Sequence, residues 1–194
     1  MHSIAVVALN TGMRIGEIFG LKWDKVDFNN RTISISRKMT RQELQEFTKS
    51  RRIRRIGINS HLEFELRKLK KQNPDSEFVF TDKDNEPLSP DHFSSRKFSI
   101  FLQEAGVRNL RFHDLRHAYA SHFMMNGGNI YQLQHVLGHT ETSMTNRYAH
   151  LSEDHLIEAA STVGFSAEYL KTNADSPCLA LDENAFKKLS LVNE

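Results

Sequence analysis

Cysteine is almost missing from this chain, which holds only Cys178. A lone cysteine excludes an internal disulfide and agrees with a reducing compartment. It also leaves no Cys/His spacing of the kind that holds zinc, and no metal or cofactor is expected. Long apolar runs are missing too. None approaches the roughly 20 residues that span a bilayer, so no membrane partner is expected. The opening MHSIAVVALNTGMR has a short apolar run with no basic segment before it, which argues against a secretory signal. An excess of either charge is also lacking: 26 Lys and Arg face 24 Asp and Glu, a formal net charge of +2. That balance alone points to no nucleic acid. There are no repeats and no low-complexity segments.

What is present fits one soluble globular domain with a real core: 194 residues, 39% hydrophobic and 26% charged. The charge is unevenly placed. Arg37, Lys38, Arg41, Lys49, Arg51, Arg52, Arg54 and Arg55 crowd one stretch, against Glu43 and Glu46. Acids gather toward the end, at Glu153, Asp154, Glu158, Glu168, Asp175, Asp182 and Glu183. The basic block reads either as a footprint on a phosphate backbone or as a solvated charged hairpin.

Local patterns give a mainly helical chain. Residues 2–10 read as a buried apolar helix broken at Thr11-Gly12, and a short helix follows from Met13 to Leu21. RTISISR at 31–37 alternates as a strand does. Two more strands near 43–48 and 52–58 complete a small three-stranded antiparallel sheet with a basic tip, Lys49-Ser50 in the turn. Leu62, Leu66 and Leu69 mark one face of a helix over 61–72. Ser89-Pro90-Asp91 opens a helix that ends at Gly106. Further helices span 113–126, then Asn129 to Leu137 with a stop at Gly138, then a segment capped by Thr140 or Thr142 that carries Tyr148. One more helix is expected over 152–163, and a short one near 182–189.

The stretch 111–150, RFHDLRHAYASHFMMNGGNIYQLQHVLGHTETSMTNRYAH, carries the chemistry. Arg116 offers a planar fork of donors suited to two phosphate oxygens. His113, three residues before it, shares its helix face. His113 and His139 exchange protons near neutral pH. Tyr148 has a hydroxyl that attacks phosphorus once its proton is removed. Taken singly, each residue has an ordinary structural explanation: a helical histidine is usually structural and a tyrosine usually packs. Taken together, they are a constellation for phosphate chemistry.

These segments, together with TGMRIGEIFGLKW around Arg14, TKSRRIRRIGI around Lys49 and TNRYAHL around Tyr148, make the chain resemble the tyrosine recombinases, the phage integrases and Xer-type enzymes. The five motifs occur in the family's order and cover residues 2–162. The resemblance implies the mainly α fold of the DNA breaking-rejoining enzymes, a helical catalytic domain with a small sheet. It implies that Arg14 and Arg116 grip the scissile phosphate and that Tyr148 is the nucleophile. His113 would be the histidine of the HxxR motif, His139 the histidine that some members replace with tryptophan, and Lys49 the lysine of the hairpin turn. Glu17 would be a supporting residue, and Arg51, Arg52 and Arg54 would contact DNA. Two positions depart from the family pattern. Arg51 stands where glycine is frequent and Gly57 where proline is common, which leaves Arg52 as a rival to Lys49.

The implied activity is site-specific recombination by transesterification. Tyr148 forms a 3′-phosphotyrosyl bond, a 5′-hydroxyl leaves, and neither metal nor ATP is needed. From sequence, His113 is the candidate base and Lys49 the candidate acid. Competing readings are a type IB topoisomerase-like or hairpin-resolving enzyme, and a DNA-binding protein without catalysis built on the helix, Gly-Gly, helix pattern. The expected partners are double-stranded DNA and three further copies, a tetramer on synapsed DNA and a monomer alone, in a cytoplasmic, nucleoid-associated setting. The expected organisation is a catalytic domain over 1–165 and a tail over 166–194 that packs on its own core or on a neighbour. The family's helical DNA-clamping domain is expected to be absent from this chain, so binding to DNA should be weak and steeply salt-dependent.

Overall fold

A computed structural model describes residues 1–41, 43–46, 53–90, 93, 95–107 and 110–151. The chain divides into two compact units, Met1–Glu153 and Asp154–Glu194. The second lies outside the described residues, and so do the helix expected over 152–163, the tail from 166 and its helix near 182–189.

Helix α1 (His2–Thr11) buries Ile4, Ala5, Val7, Ala8 and Thr11 and leaves His2 and Leu9 exposed. It thus buries one face rather than its whole circumference. Gly12 ends it in the left-handed conformation, φ 64°, with its N–H on the Ala8 carbonyl at 2.9 Å. A side chain here would also collide, since a Cβ would lie 2.7 Å from the Tyr119 ring. Helix α2 (Ile15–Phe19) is shorter than the pattern suggests and starts after Arg14, which stays extended as its N-cap. Ile18, Phe19 and Leu21 are buried beneath it.

The strands depart from the expected single three-stranded sheet. Strands β1 (Val26–Asp27), β2 (Thr32–Ile35) and β5 (Arg54–Gly57) pair antiparallel in the order β1-β2-β5, with Ile33 opposite Ile56. Their inward residues Ile33, Ile35 and Ile56 are almost fully buried, as period-two alternation requires. Strand β3 (Arg37–Met39) leaves this sheet after Ser36 and pairs with β4 (Leu44–Glu46) in a separate two-stranded ribbon. The reason lies in α2. Gly16 and Gly20 present bare backbone, and a Cβ at either would sit 2.6 Å from the Met39 carbonyl oxygen or 2.9 Å from the Met39 nitrogen. Strand β3 therefore lies directly on α2, and Met39 is buried there.

Helix α3 (Ser60–Gln72) is capped by Asn59, whose Oδ1 accepts from the Leu62 N–H at 2.8 Å, and buries Leu62 and Leu66 with Leu69 at the margin. Helix α4 (Ser95–Glu104) begins later than the Ser-Pro-Asp signal suggests and turns Phe98 and Leu102 inward. Phe93, Phe98 and Phe112 form a ring cluster with centroids 4.8–5.7 Å apart.

Helices α5 (Phe112–Met125) and α6 (Ile130–Leu137) follow the expected bounds closely. Asn129 Oδ1 caps α6 through the Tyr131 N–H, and Gly138 closes it with φ 65°. Helix α7 (Ser143–Asn146) is only one turn long, so Tyr148 lies just beyond it rather than on it. Tyr148 joins Ala120, Met124, Leu133 and Leu137 in a second, smaller core beside the main one built on α1, α2, the sheet and α3. Among the described residues no helix is long and apolar enough to cross a membrane.

Candidate active site

The αL turn at Gly12 aims two things at one place: its own carbonyl and, two residues later, the Arg14 side chain. The Arg14 N–H donates to Glu17 Oε2 at 2.9 Å and its Nη1 meets Glu17 Oε1 at 3.3 Å. The arginine stays 37% exposed, enough to meet a ligand.

Arg116, on α5, is the opposite case. It is 3% exposed. Its Nη1 donates to the Gly12 carbonyl at 2.5 Å and its Nη2 to the Leu137 carbonyl at 2.7 Å. One guanidinium thus joins the turn before Arg14, the helix of the HxxR motif and the end of α6 just before His139. Burial and the Arg14 charge push its pKa down to about 9, still far enough above neutral for it to stay cationic.

His139 follows Gly138, and its Nδ1 is 2.8 Å from the hydroxyl of the fully buried Thr145. Burial, Arg116 and Arg14 lower its pKa to about 4, so the ring is neutral at pH 7. A Thr145 hydroxyl that donates to Nδ1 leaves the ring proton on Nε2. His113 is more open. Partial desolvation, His117, Arg116 and Arg14 lower its pKa as well. Tyr148 is 6% exposed, and its hydroxyl is hydrogen-bonded to Nδ1 of His117. Burial raises the Tyr148 pKa above the ordinary phenol value, opposed by Arg147 and Arg116.

Arg14, His113, Arg116, His139 and Tyr148 are therefore one electrostatic neighbourhood, drawn from two distant segments of the chain. Lys49, Arg51 and Arg52 lie outside the described residues. Arg54, expected to reach DNA, is turned inward. Its Nη1 and Nη2 grip Glu17 Oε1 and Oε2 at 3.0 and 2.6 Å, and its Nε donates to the Val136 carbonyl at 2.7 Å. Arg54 and Glu17 are each 4% exposed, so the guanidinium is occupied within the protein. The strand's alternation explains the reversal, because Arg54 shares the inward parity of Ile56 while Arg55 faces out. Burial acts to raise the Glu17 pKa, but the Arg54 donors and charge, with Arg14 behind them, hold it below its ordinary value.

Three residues of this neighbourhood were not legible as such from the sequence. His117 had a signal, its i, i+4 spacing from His113 on the same helix. Thr145 and the inward Arg54 had none in their local sequence beyond strand parity.

The model of the phage integrase family matches residues 2–155. The tyrosine recombinase XerC of Lactobacillus leichmannii is 30% identical over 154 residues, 78% of this chain and 51% of that protein. The chain thus spans about half the length of this curated relative. The catalytic domain of bacteriophage HP1 integrase is 30% identical, with a TM-score of 0.57 over 82% of this chain and 79% of that one. The Tn1549 transposon integrase, solved with a circular intermediate DNA, shares the fold at a TM-score of 0.69 and 22% identity, covering 84% of this chain and 58% of that one.

Proposed function

Because the chain belongs to the phage integrase family, we propose that it is the catalytic part of a site-specific DNA recombinase that cuts and rejoins strands through a 3′-phosphotyrosyl intermediate. The observation that supports this best is the Arg116 fork, anchored on the Gly12 and Leu137 carbonyls. It ties the Arg14 turn and the His139 turn to the helix that holds the Tyr148 hydroxyl.

Phosphoryl transfer depends mainly on positioning and on neutralising developing charge. Arg14, partly open, meets the non-bridging oxygens. Arg116 supplies a fixed positive field from below. His113 and His139, both neutral at pH 7, donate N–H groups to the phosphate. A phenol with a pKa near 10 attacks only when its proton is taken. The 5′-oxygen leaves only when it receives one, and Lys49 is the proposed donor. Glu17 orients Arg14. Double-stranded DNA is the proposed substrate and partner, with Arg51 and Arg52 as candidate DNA contacts and four copies assembling on two synapsed duplexes. Tyr148→Phe tests the reading: with a nicked duplex substrate, wild type should give a denaturant-resistant protein–DNA band and the variant none. A band of equal strength from the variant sinks the assignment.

A further inference from the structure

The Tyr148 hydroxyl has a partner that the motif residues do not supply. Its hydrogen bond goes to Nδ1 of His117, with the two rings 6.1 Å apart. His113, the base expected from sequence, instead meets the His117 ring edge-to-face at 5.1 Å. We propose that His117 is the catalytic base of the cleavage step, taking the Tyr148 proton on Nδ1 as the phenol oxygen bonds to phosphorus.

Three features of the structure carry this. Tyr148 is 6% exposed, so its hydroxyl meets His117 rather than bulk water. His117 follows Arg116 directly on α5, so one helix holds both the buried arginine that supplies the positive field and the proton acceptor. The groups around the imidazole also favour its neutral, accepting form. His113, Asp114 and Arg116 flank it on α5, Arg111 precedes the helix, and Arg147 and Tyr148 face it from the segment after α7. Burial and Arg147, with Arg116 and Arg111, lower its pKa against the opposing pull of Asp114. A neutral ring with its proton on Nε2 accepts at Nδ1.

The step balances within the proposed reaction, on which this inference rests. The Tyr148 O–H bond breaks and its proton moves to His117. The tyrosyl oxygen bonds to phosphorus, the bond from phosphorus to the 5′-oxygen breaks, and that oxygen takes a proton from the acid. In rejoining, a 5′-hydroxyl gives its proton to the deprotonated acid as its oxygen bonds to phosphorus, the bond from phosphorus to the tyrosyl oxygen breaks, and the His117 imidazolium returns its proton to the departing phenolate. His113 is then free to face the phosphate, which suits its greater exposure.

The test is single-turnover cleavage of a nicked duplex with a 5′-bridging sulfur, so that protonation of the leaving group does not limit the rate. The full chain is used at low salt, between about pH 5 and 9. Wild type should reach a plateau once His117 is neutral. His117→Ala should be slower by about 10²- to 10⁴-fold, and its rate should keep rising with pH as the phenol ionises unaided. His117→Asn checks positioning alone, because its amide oxygen can accept the hydrogen bond but not the proton. It should be as slow as the alanine variant, with an unchanged far-UV spectrum. His113→Ala should lower the rate yet keep the plateau. The proposal is overturned if His117→Asn comes within tenfold of wild type, or if His117→Ala keeps the wild-type rate and plateau. A wild type that forms no adduct overturns the recombinase reading and the base with it. An active wild type with an indifferent His117 overturns the base alone.

Discussion

Arg54→Ala separates two opposed readings of one residue. As a DNA contact, Arg54 would be dispensable for folding, and its loss would weaken binding and lower the salt slope by about one. The structure predicts the reverse. Removing the side chain deletes both bonds to Glu17 and the bond to the Val136 carbonyl, and leaves a 4% exposed carboxylate without its main counter-charge. Breaking a buried pair from one side costs about 3–5 kcal/mol, a large part of the 5–15 kcal/mol or so that holds a domain together. With a urea slope of about 1–3 kcal/mol/M, the midpoint should fall by at least about 1 M. Replacing both residues by methionine should restore much of the loss, since the uncompensated charge goes too.

The pH dependence gives a second check on the same pair. The folded Glu17 pKa lies below its ordinary value of 4.5. The pair's contribution is therefore fully present above that value and is lost as pH falls through the depressed one. In Arg54→Ala the buried carboxylate keeps only its Arg14 contacts and its pKa shifts upward instead, so the deficit should be largest near neutral pH and shrink toward pH 4.5. Urea melts followed by far-UV circular dichroism at both ends of that window measure it. A variant within about 1 kcal/mol of wild type at pH 7 would refute the inward reading.

The proposed catalytic side chains and their neighbours offer further tests. Gly12→Ala forces a methyl group into a φ of 64° and to 2.7 Å from the Tyr119 ring; it should cost about 1–3 kcal/mol in thermal or urea melts and slow cleavage by disturbing the carbonyl under Arg116. Unchanged stability would count against the close packing. Thr145→Val keeps the shape of the buried residue but removes the hydroxyl on His139 Nδ1; its cleavage should slow by less than the about 10²–10³ expected for losing the His139 donor itself. A wild-type rate would show that Thr145 does not orient the ring. Lys49→Ala should be inactive on ordinary DNA and recover on the sulfur-bridged substrate, whose leaving group needs little protonation. No recovery would remove Lys49 as the acid.

Much of the local architecture was readable because it is written in short-range chemistry. The bounds of α5 and α6 follow from apolar spacing, the Asn129 cap and the Gly138 stop. The strand alternation of 32–35 needed only period-two burial. The motif residues Arg14, Arg116, His139 and Tyr148 were recognisable because their order and neighbours are distinctive. The pairing of the strands was not readable. Where β3 goes depends on the bare backbone that α2 presents to it, a contact between segments rather than a property of either.

By itself, then, the sequence determined where α5 and α6 form and stop, and which side chains are candidates for phosphate chemistry. Only the tertiary structure decided what each side chain points at. It turned Arg54 from a DNA contact into the buried partner of Glu17, set Arg116 on two carbonyls, seated Thr145 behind His139, and placed His117 on the Tyr148 hydroxyl. The physical reason is range. Periodicity and capping act over a few residues, whereas the Arg116–Gly12 bond spans 104 positions and the Arg54–Val136 bond 82. Contacts of that kind exist only once the cores have packed.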